Sequence, residues 1–161
     1  MNCPACNKEL IPSVGDEEYP ILIVGNKPDK DKHFDGNTIR ILVAELGKFG
    51  IDLRSCRKTN YWLHAPNSKT SCRKFMEKQL TEEAKGKKAI LLLGAEPVSF
   101  FTDRKYGISE VSSLRIESET SFSAKVILAS VHPSEAFRGG VGELKLAFKR
   151  FATALQEENI L

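Results

Sequence analysis

Strand-sized runs alternate with longer stretches of helical periodicity along most of the chain, and this alternation constrains its fold more than any other feature. The strand-sized runs are residues 19–25, 57–63, 88–94 and 124–130. The stretches with apolar residues at helical spacing are 39–49, 71–84, 95–102 and 141–156. Strands that alternate with helices pair in parallel and carry helices on both faces of the sheet. The sequence therefore predicts a three-layer α/β/α sandwich with a central four-stranded parallel sheet.

The length and the first residues of the chain limit the class of protein to which it can belong. At 161 residues, residues 1–161 are expected to form a single domain with its own hydrophobic core. No apolar run reaches the roughly 18 residues that cross a membrane. Residues 1–4 (MNCP) do not have the pattern of a signal peptide. We therefore expect a cytoplasmic protein without a membrane partner, and we expect it to be a monomer.

The net charge of +3 does not by itself indicate a nucleic-acid-binding protein. Lysine and arginine do gather within residues 27–32 and 54–58. Such clusters are either solvated surface or contacts to a polyanion, and the charge pattern alone leaves both interpretations open.

The carboxyl ends of parallel strands bring the functional loops of an α/β protein to one edge of the sheet. In this chain those ends are Gly25, Asn60, Gly94 and residues 131–132. Neither a Gly-x-x-x-x-Gly-Lys-Ser/Thr loop nor a Gly-x-Gly-x-x-Gly loop follows the first strand, so nucleotide binding through those motifs is not expected. A flavodoxin-like domain would show the same alternation, so the fold alone does not predict the function.

The strand-end loops carry short motifs in a fixed order. These are GNKP at 25–28 with HFDG at 33–36, TN at 59–60, LGA at 93–95, and HPS at 132–134 with Arg138 beyond. Together they resemble the Gly-Glu-x-Pro-Gly, Pro-Phe-x-Gly, Thr-Asn, Leu-Gly-Ala and His-Pro-Ser motifs of the uracil-DNA glycosylase superfamily. The resemblance covers nearly the whole chain and is nearest to the iron–sulfur-containing (family 4-like) branch. It implies a uracil-DNA glycosylase-like fold with DNA as the partner.

The resemblance implies a base-binding site formed by Gly25, Phe34 and Asn60. An enzyme that acts on a base in DNA flips that base out of the stack before reading it. Phe34 would stack on the flipped uracil. The Asn60 amide would donate to O4 and accept from N3–H, a pairing that cytosine cannot satisfy. A core position for Phe34 and a structural role for Asn60 are the alternatives.

The loop after the fourth strand supplies the residues that the resemblance places at the chemistry and on the DNA. His132 would stabilise the negative charge that builds on uracil O2 as the glycosidic bond breaks, unless its role is structural. Ser134 would bind a DNA phosphate. Phe137 would fill the vacated stack as a wedge, and Arg138 would contact a phosphate or a groove. A core position for Phe137 is the alternative.

The first loop departs from the motif of the superfamily. Asn26 stands where the iron–sulfur branch has glutamate, Lys27 where related branches have aspartate or asparagine, and Asp29 where the motif has glycine. The Asn26 amide can position the attacking water but cannot take its proton. Asp29, Asp31 or Asp35 could then serve as the catalytic carboxylate, and Lys27 could pair with a DNA phosphate or with the base.

The cysteines indicate a structural metal site that joins the N-terminus to the loop after the second strand. Cys3 and Cys6 form a Cys-x-x-Cys knuckle within residues 3–6, a common way to present two thiolates to one metal. Alignment on the Thr-Asn motif places His64 at the third ligand position, and Cys72 completes the set.

Cys56 is the rival third ligand, but it would lie at the opposite end of the second strand, about 13 Å from Asn60 at roughly 3.3 Å per residue. In the iron–sulfur branch, four cysteines bind a [4Fe–4S] cluster, whereas three thiolates with one imidazole suit Zn²⁺. The remaining alternative is a chain without a metal, in which Cys56 and Cys72 are buried apolar residues.

Hydrolysis of the N-glycosidic bond of uracil, or of a related pyrimidine flipped out of DNA, is the function that the resemblance implies, as in base-excision repair. A catalytically inactive DNA-binding or adaptor protein is the alternative, because the first loop lacks the glutamate of the iron–sulfur branch. A glycosylase for a modified pyrimidine is a third hypothesis, with Asn26 and Lys27 reshaping the pocket.

Overall fold

The computed structural model describes residues 1–117 and 122–161 of the chain. The strands in these residues are β1 (Ile21–Gly25), β2 (Arg57–Asn60), β3 (Ala89–Leu93) and β4 (Val126–Ser130). They form one all-parallel sheet in the order β2-β1-β3-β4. The predicted α/β fold with a four-stranded parallel sheet is therefore confirmed.

Helices flank the sheet on both faces. The α-helices in the described residues are α1 (Gly36–Gly47), α2 (Thr70–Ala84), α3 (Ala95–Phe101), α4 (Ile108–Val111) and α5 (Val141–Glu157). Two 3₁₀ helices, Leu53–Ser55 and Pro133–Arg138, precede β2 and α5. Each helix in the described residues is too short or too polar to span a membrane.

The hydrophobic core has two halves because successive side chains of a strand point to opposite faces of the sheet. Ile23 and Leu91 belong to the half that includes Leu42 of α1 and Phe148 of α5. The neighbouring residues of the same strands belong to the other half, together with Met76 of α2. Full burial of each such side chain stabilises the fold by about 1.5–3 kcal/mol. The two halves fix the sheet from both sides and leave its carboxyl edge to the loops.

Helix α1 begins at Gly36 rather than at the predicted residue 39. The Asp35 carboxylate accepts the backbone N–H of Thr38 at 2.7 Å and so caps the helix earlier than the apolar pattern alone indicated. Not every apolar residue in the predicted stretch 39–49 faces the core, since 53% of the surface of Val43 is exposed. The chain turns away beyond the helix at Gly50, whose φ of +78° suits glycine.

Strand β2 ends at Asn60, the expected carboxyl end, although the strand-sized run of the sequence continues to residue 63. The N–H groups of Tyr61 and Trp62 still bond to the carbonyls of Gly25 and Asn26, at 2.9 and 3.0 Å, beyond the end of the regular ladder. On the other side of β2, Val14 of the N-terminal segment pairs antiparallel with the middle of the strand. The N-terminal segment therefore covers this edge of the sheet.

Candidate functional site

Gly25 and Asn60 lie side by side at the carboxyl ends of β1 and β2. A Cβ atom at position 25 would overlap Asn60 Oδ1 and would lie 2.7 Å from Cε1 of Phe34. Only glycine therefore fits here without moving those side chains. The structure brings Gly25, Phe34 and Asn60 into contact. Phe34 is buried in the hydrophobic core, the position given above as the alternative to base binding.

The Asn60 side chain is buried, and its two ends differ in their partners. Nδ2 donates to the ring nitrogen Nδ1 of His33 at 2.9 Å and to the His33 carbonyl at 2.8 Å. Both amide hydrogens are thereby used, so donation to a base O4 is not available in this arrangement. Oδ1 is buried without a hydrogen-bond partner among the described residues. An unsatisfied buried acceptor costs about 1–3 kcal/mol, so a ligand that donates to Oδ1 would offset that cost.

His33 fixes the orientation of the Asn60 amide, and the sequence analysis did not identify it. Its Nε2 donates to the carbonyl of Pro12 at 2.8 Å, which assigns the proton to Nε2 and leaves Nδ1 as the acceptor for Asn60. Burial lowers the pKa of His33, so the ring is neutral at pH 7. The only sequence signal was its position beside Phe34 in the first loop.

His132 lies just after β4 and caps the 3₁₀ helix that follows it. Its Nδ1 accepts the backbone N–H of Ser134 at 3.1 Å and lies 2.9 Å from the Ser134 hydroxyl. A backbone N–H can only donate, so Nδ1 is unprotonated and Nε2 carries the proton. Burial lowers the pKa of His132, against opposing effects of Asp35 and Glu135, so the ring is neutral at pH 7.

Asp35 lies close enough to His132 for their charges to interact. Its carboxylate accepts the N–H of Thr38 at the start of α1, and this bond lowers the pKa of Asp35, with a further contribution from His132. The carboxylate is therefore ionised at neutral pH. Of the three aspartates considered as substitutes for the missing glutamate, Asp35 is half-buried, whereas Asp29 and Asp31 are exposed.

The other first-loop candidates have different environments. Asn26 Oδ1 accepts the backbone N–H of Glu96 at 3.1 Å, and its amide fills the space where Gly94 lacks a Cβ. The Asn26 side chain therefore holds the start of α3. Asp29 is exposed in a tight turn in which its backbone exchanges two hydrogen bonds with Lys32, and Lys27 is exposed as well.

The 3₁₀ helix Pro133–Arg138 presents the residues predicted to contact DNA. Ser134, Phe137 and Arg138 are all exposed. Phe137 is 68% exposed, so the alternative that it packs in the core is wrong. An exposed phenylalanine next to an arginine is available for contact with another molecule.

Cys3, Cys6, His64 and Cys72 converge, with one potential ligand atom from each residue lying within 4.8 Å of the others. Cys3 Sγ lies 3.9 Å from Cys72 Sγ, and Cys6 Sγ lies 3.4 Å from His64 Nε2. His64 Nδ1 donates to the carbonyl of Ala65 at 2.8 Å, which leaves the Nε2 lone pair for the cluster. The predicted convergence is confirmed, and these residues form a possible metal site.

Cys56, the rival ligand, lies outside this cluster. Its thiol is buried beside the carbonyl of Asp52, at 3.5 Å. Burial raises the pKa of Cys56 to about 11, which keeps the side chain in the protonated thiol form. The structure therefore favours His64 over Cys56.

The family model described as the uracil DNA glycosylase superfamily matches residues 12–156. The chain belongs to this superfamily. No curated protein matches the sequence. The superfamily match spans all four strands of the parallel sheet and the loops at their carboxyl ends.

The residues matched by the superfamily model include only two members of the cysteine–histidine cluster. His64 and Cys72 lie within the matched residues 12–156, whereas Cys3 and Cys6 precede them. The knuckle is thus an addition to the part of the chain that the superfamily model describes. Membership therefore supports the glycosylase-type fold and says nothing about the cluster.

Proposed function

We propose that this protein is a DNA glycosylase that hydrolyses the N-glycosidic bond of uracil, or of a related pyrimidine, flipped out of DNA in base-excision repair. The observation that carries the proposal is the state of His132, a neutral imidazole whose Nε2–H has no partner among the described residues. It lies after β4, where the superfamily places its functional histidine, with the ionised Asp35 nearby.

Asn60 provides the base recognition. Its buried Oδ1 accepts from a donor at the base edge, which uracil supplies as N3–H. Cytosine has a lone pair at N3, so it would repel this oxygen. Phe34 packs against the Cβ-free side of Gly25 and is buried, so it has to move for the base to enter and then stacks on that base.

The chemistry follows from the charges that develop as the bond breaks. The C1′–N1 bonding electrons leave with the base, and His132 Nε2–H donates to O2, where negative charge accumulates. The Asp35 carboxylate stabilises positive charge on the sugar and orients the water whose oxygen bonds to C1′. The proton lost by that water passes through Asp35 to solvent, and the uracil anion takes a proton from solvent.

The exposed side chains hold the DNA. Ser134 and Lys27 contact phosphates, Arg138 contacts a phosphate or a groove, and Phe137 fills the gap left by the flipped base. The 68% exposure of Phe137 supports this role, because the ring can reach DNA without any change in the core.

A catalytically inactive DNA-binding or adaptor protein is the second candidate. The observation that favours it concerns Asn26, which stands where the iron–sulfur branch has its glutamate. The Asn26 side chain is hydrogen-bonded to the start of α3. In this case the fold and the DNA-binding residues would be retained without hydrolysis.

We also propose that the Cys3, Cys6, His64 and Cys72 cluster binds a metal with a structural role. The knuckle supports a relationship to the iron–sulfur-containing branch, where the group is a [4Fe–4S] cluster, while the donor set also suits Zn²⁺. The metal would tie the N-terminal segment to the loop after β2 and to α2.

The test is incubation with oligonucleotides that contain a single uracil, cytosine or modified pyrimidine, followed by alkali to break the strand at an abasic site. Cleavage at uracil supports the proposal. Cleavage only at a modified base would show that the substrate is that base and not uracil. Binding measured by fluorescence anisotropy without any cleavage establishes the inactive candidate instead. His132→Ala purified in parallel excludes contamination by a host glycosylase.

A further inference from the structure

We propose that the Cys3, Cys6, His64 and Cys72 cluster binds one tetrahedral Zn²⁺ ion and is too compact for a [4Fe–4S] cluster. The proposal goes beyond the structural metal argued above by fixing the number and kind of ion, and it is independent of glycosidic cleavage. Three thiolates and one imidazole make a closed set of four ligands, the arrangement typical of structural zinc.

Two separations within the cluster match those expected around a single ion. Two sulfurs bound tetrahedrally to one zinc lie about 3.8 Å apart, since each zinc–sulfur bond is about 2.3 Å. A sulfur and a nitrogen on the same ion lie about 3.6 Å apart. The corresponding distances here are 3.9 Å between Cys3 and Cys72 and 3.4 Å between Cys6 Sγ and His64 Nε2.

A [4Fe–4S] cluster requires a wider arrangement. Each of its protein ligands binds a different iron on the outside of the cluster, so the ligand atoms stand roughly 6 Å apart. All four ligand atoms of this chain lie within 4.8 Å of one another. The cluster residues would have to move outward together to admit four irons, and Cys3, His64 and Cys72 are fully enclosed by other residues.

Groups around the ligands also suit a single ion. The hydrogen bond from His64 Nδ1 to the Ala65 carbonyl orients the ring and leaves Nε2 for the metal. Asn67 Nδ2 donates to Cys72 Sγ at 3.4 Å, which stabilises a thiolate. The knuckle itself is closed by the Asn7 N–H, which donates to the Cys3 carbonyl at 2.7 Å.

The experiment is purification without oxygen from cells supplied with both iron and zinc, followed by metal and acid-labile sulfide analysis and an absorption spectrum. One zinc per chain, with no sulfide and no band at about 400 nm, is the expected result. Four irons with sulfide would overturn the proposal. A chain that contains no metal and takes up none from added zinc would also overturn it.

Two further measurements keep the test independent of folding defects. Cys72→Ser is expected to lose the zinc, whereas Cys56→Ser, which changes a buried cysteine outside the cluster, is expected to keep it. In the unmodified protein, Co²⁺ exchanged for zinc is expected to give the visible spectrum of a tetrahedral thiolate site at one ion per chain. An octahedral cobalt spectrum, or equal zinc loss in both variants, would contradict the assignment.

Discussion

The side-chain amide of Asn60 donates to both the ring nitrogen and the backbone carbonyl of His33, at 2.9 and 2.8 Å. His33 in turn donates to the carbonyl of Pro12. This chain of bonds makes Asn60 Oδ1 the end that faces the Cβ-free side of Gly25. Which base edge the site accepts therefore depends on His33, a residue that touches no base in the proposed complex.

Replacement of His33 with alanine is expected to lower both stability and selectivity. It leaves unpaired the Asn60 N–H that bonded to the ring, at a cost of about 1–3 kcal/mol. The amide is then held only by its bond to the backbone carbonyl of residue 33, so its orientation is less fixed. Urea denaturation and parallel cleavage of uracil and cytosine oligonucleotides measure the two effects. Asp31→Ala, an exposed change in the same loop, is the control. Unchanged selectivity in a folded His33→Ala protein would rule out the positioning role.

Asp35→Asn is expected to reduce kcat about 10- to 100-fold with little loss of stability, as one electrostatic contribution to the transition state is removed. Asparagine caps helices as well as aspartate does, so α1 should persist. Asp52→Asn is a matched control, because Asp52 caps the 3₁₀ helix Leu53–Ser55 by the same kind of bond. Equal values of kcat for the two variants would show that Asp35 does not take part in the mechanism.

Stability is expected to fall as the pH drops below about 6.5. Burial lowers the pKa of both His33 and His132 from the ordinary value of 6.5. Between that value and the lower folded pKa, the unfolded chain binds more protons, so acid favours unfolding and the stability is regained as the pH rises. Urea unfolding at pH 7.5, 6.5 and 5 measures this dependence. The same stability at all three pH values would contradict the neutral, buried state of both rings.

Phe137→Ser is expected to weaken binding and cleavage of uracil-containing DNA while leaving the stability within about 0.5 kcal/mol. The side chain is 68% exposed, so its removal costs little packing. Val43→Ser changes another exposed apolar side chain, 53% exposed on α1, and is expected to leave DNA binding intact. If Phe137→Ser binds and cleaves as the unmodified protein does, the wedge proposal fails.

Much of the fold was predictable because strand and helix periodicities are local. The helical spacing of apolar residues in 141–156 predicts α5, and the residues at that spacing are buried, namely Leu144, Ala147, Phe148, Phe151 and Leu155. The metal ligands were also accessible from sequence, since the Thr-Asn motif fixes where β2 ends and therefore which side chain follows it. This placement favours His64 over Cys56, and the cluster contains His64.

The remaining features depend on contacts between distant segments. The role of His33 requires Pro12 and Asn60, which approach it only in the folded chain. The use of Asn26 to hold α3 depends on the pairing of β1 with β3. No local sequence pattern encodes either bond. The motifs therefore predict which loops form the site but not the hydrogen bonds within it.

The most direct test of the central claim is a single-turnover measurement of free uracil released from labelled DNA, with the protein in excess. The neutral His132 is predicted to lower the barrier, so His132→Ala should release uracil about 10²- to 10³-fold more slowly while binding the same DNA. Uracil release by the unmodified protein should persist at pH 6.5, because burial lowers the pKa of His132 below that value. Equal rates for the two proteins, or no uracil from either, would contradict the account.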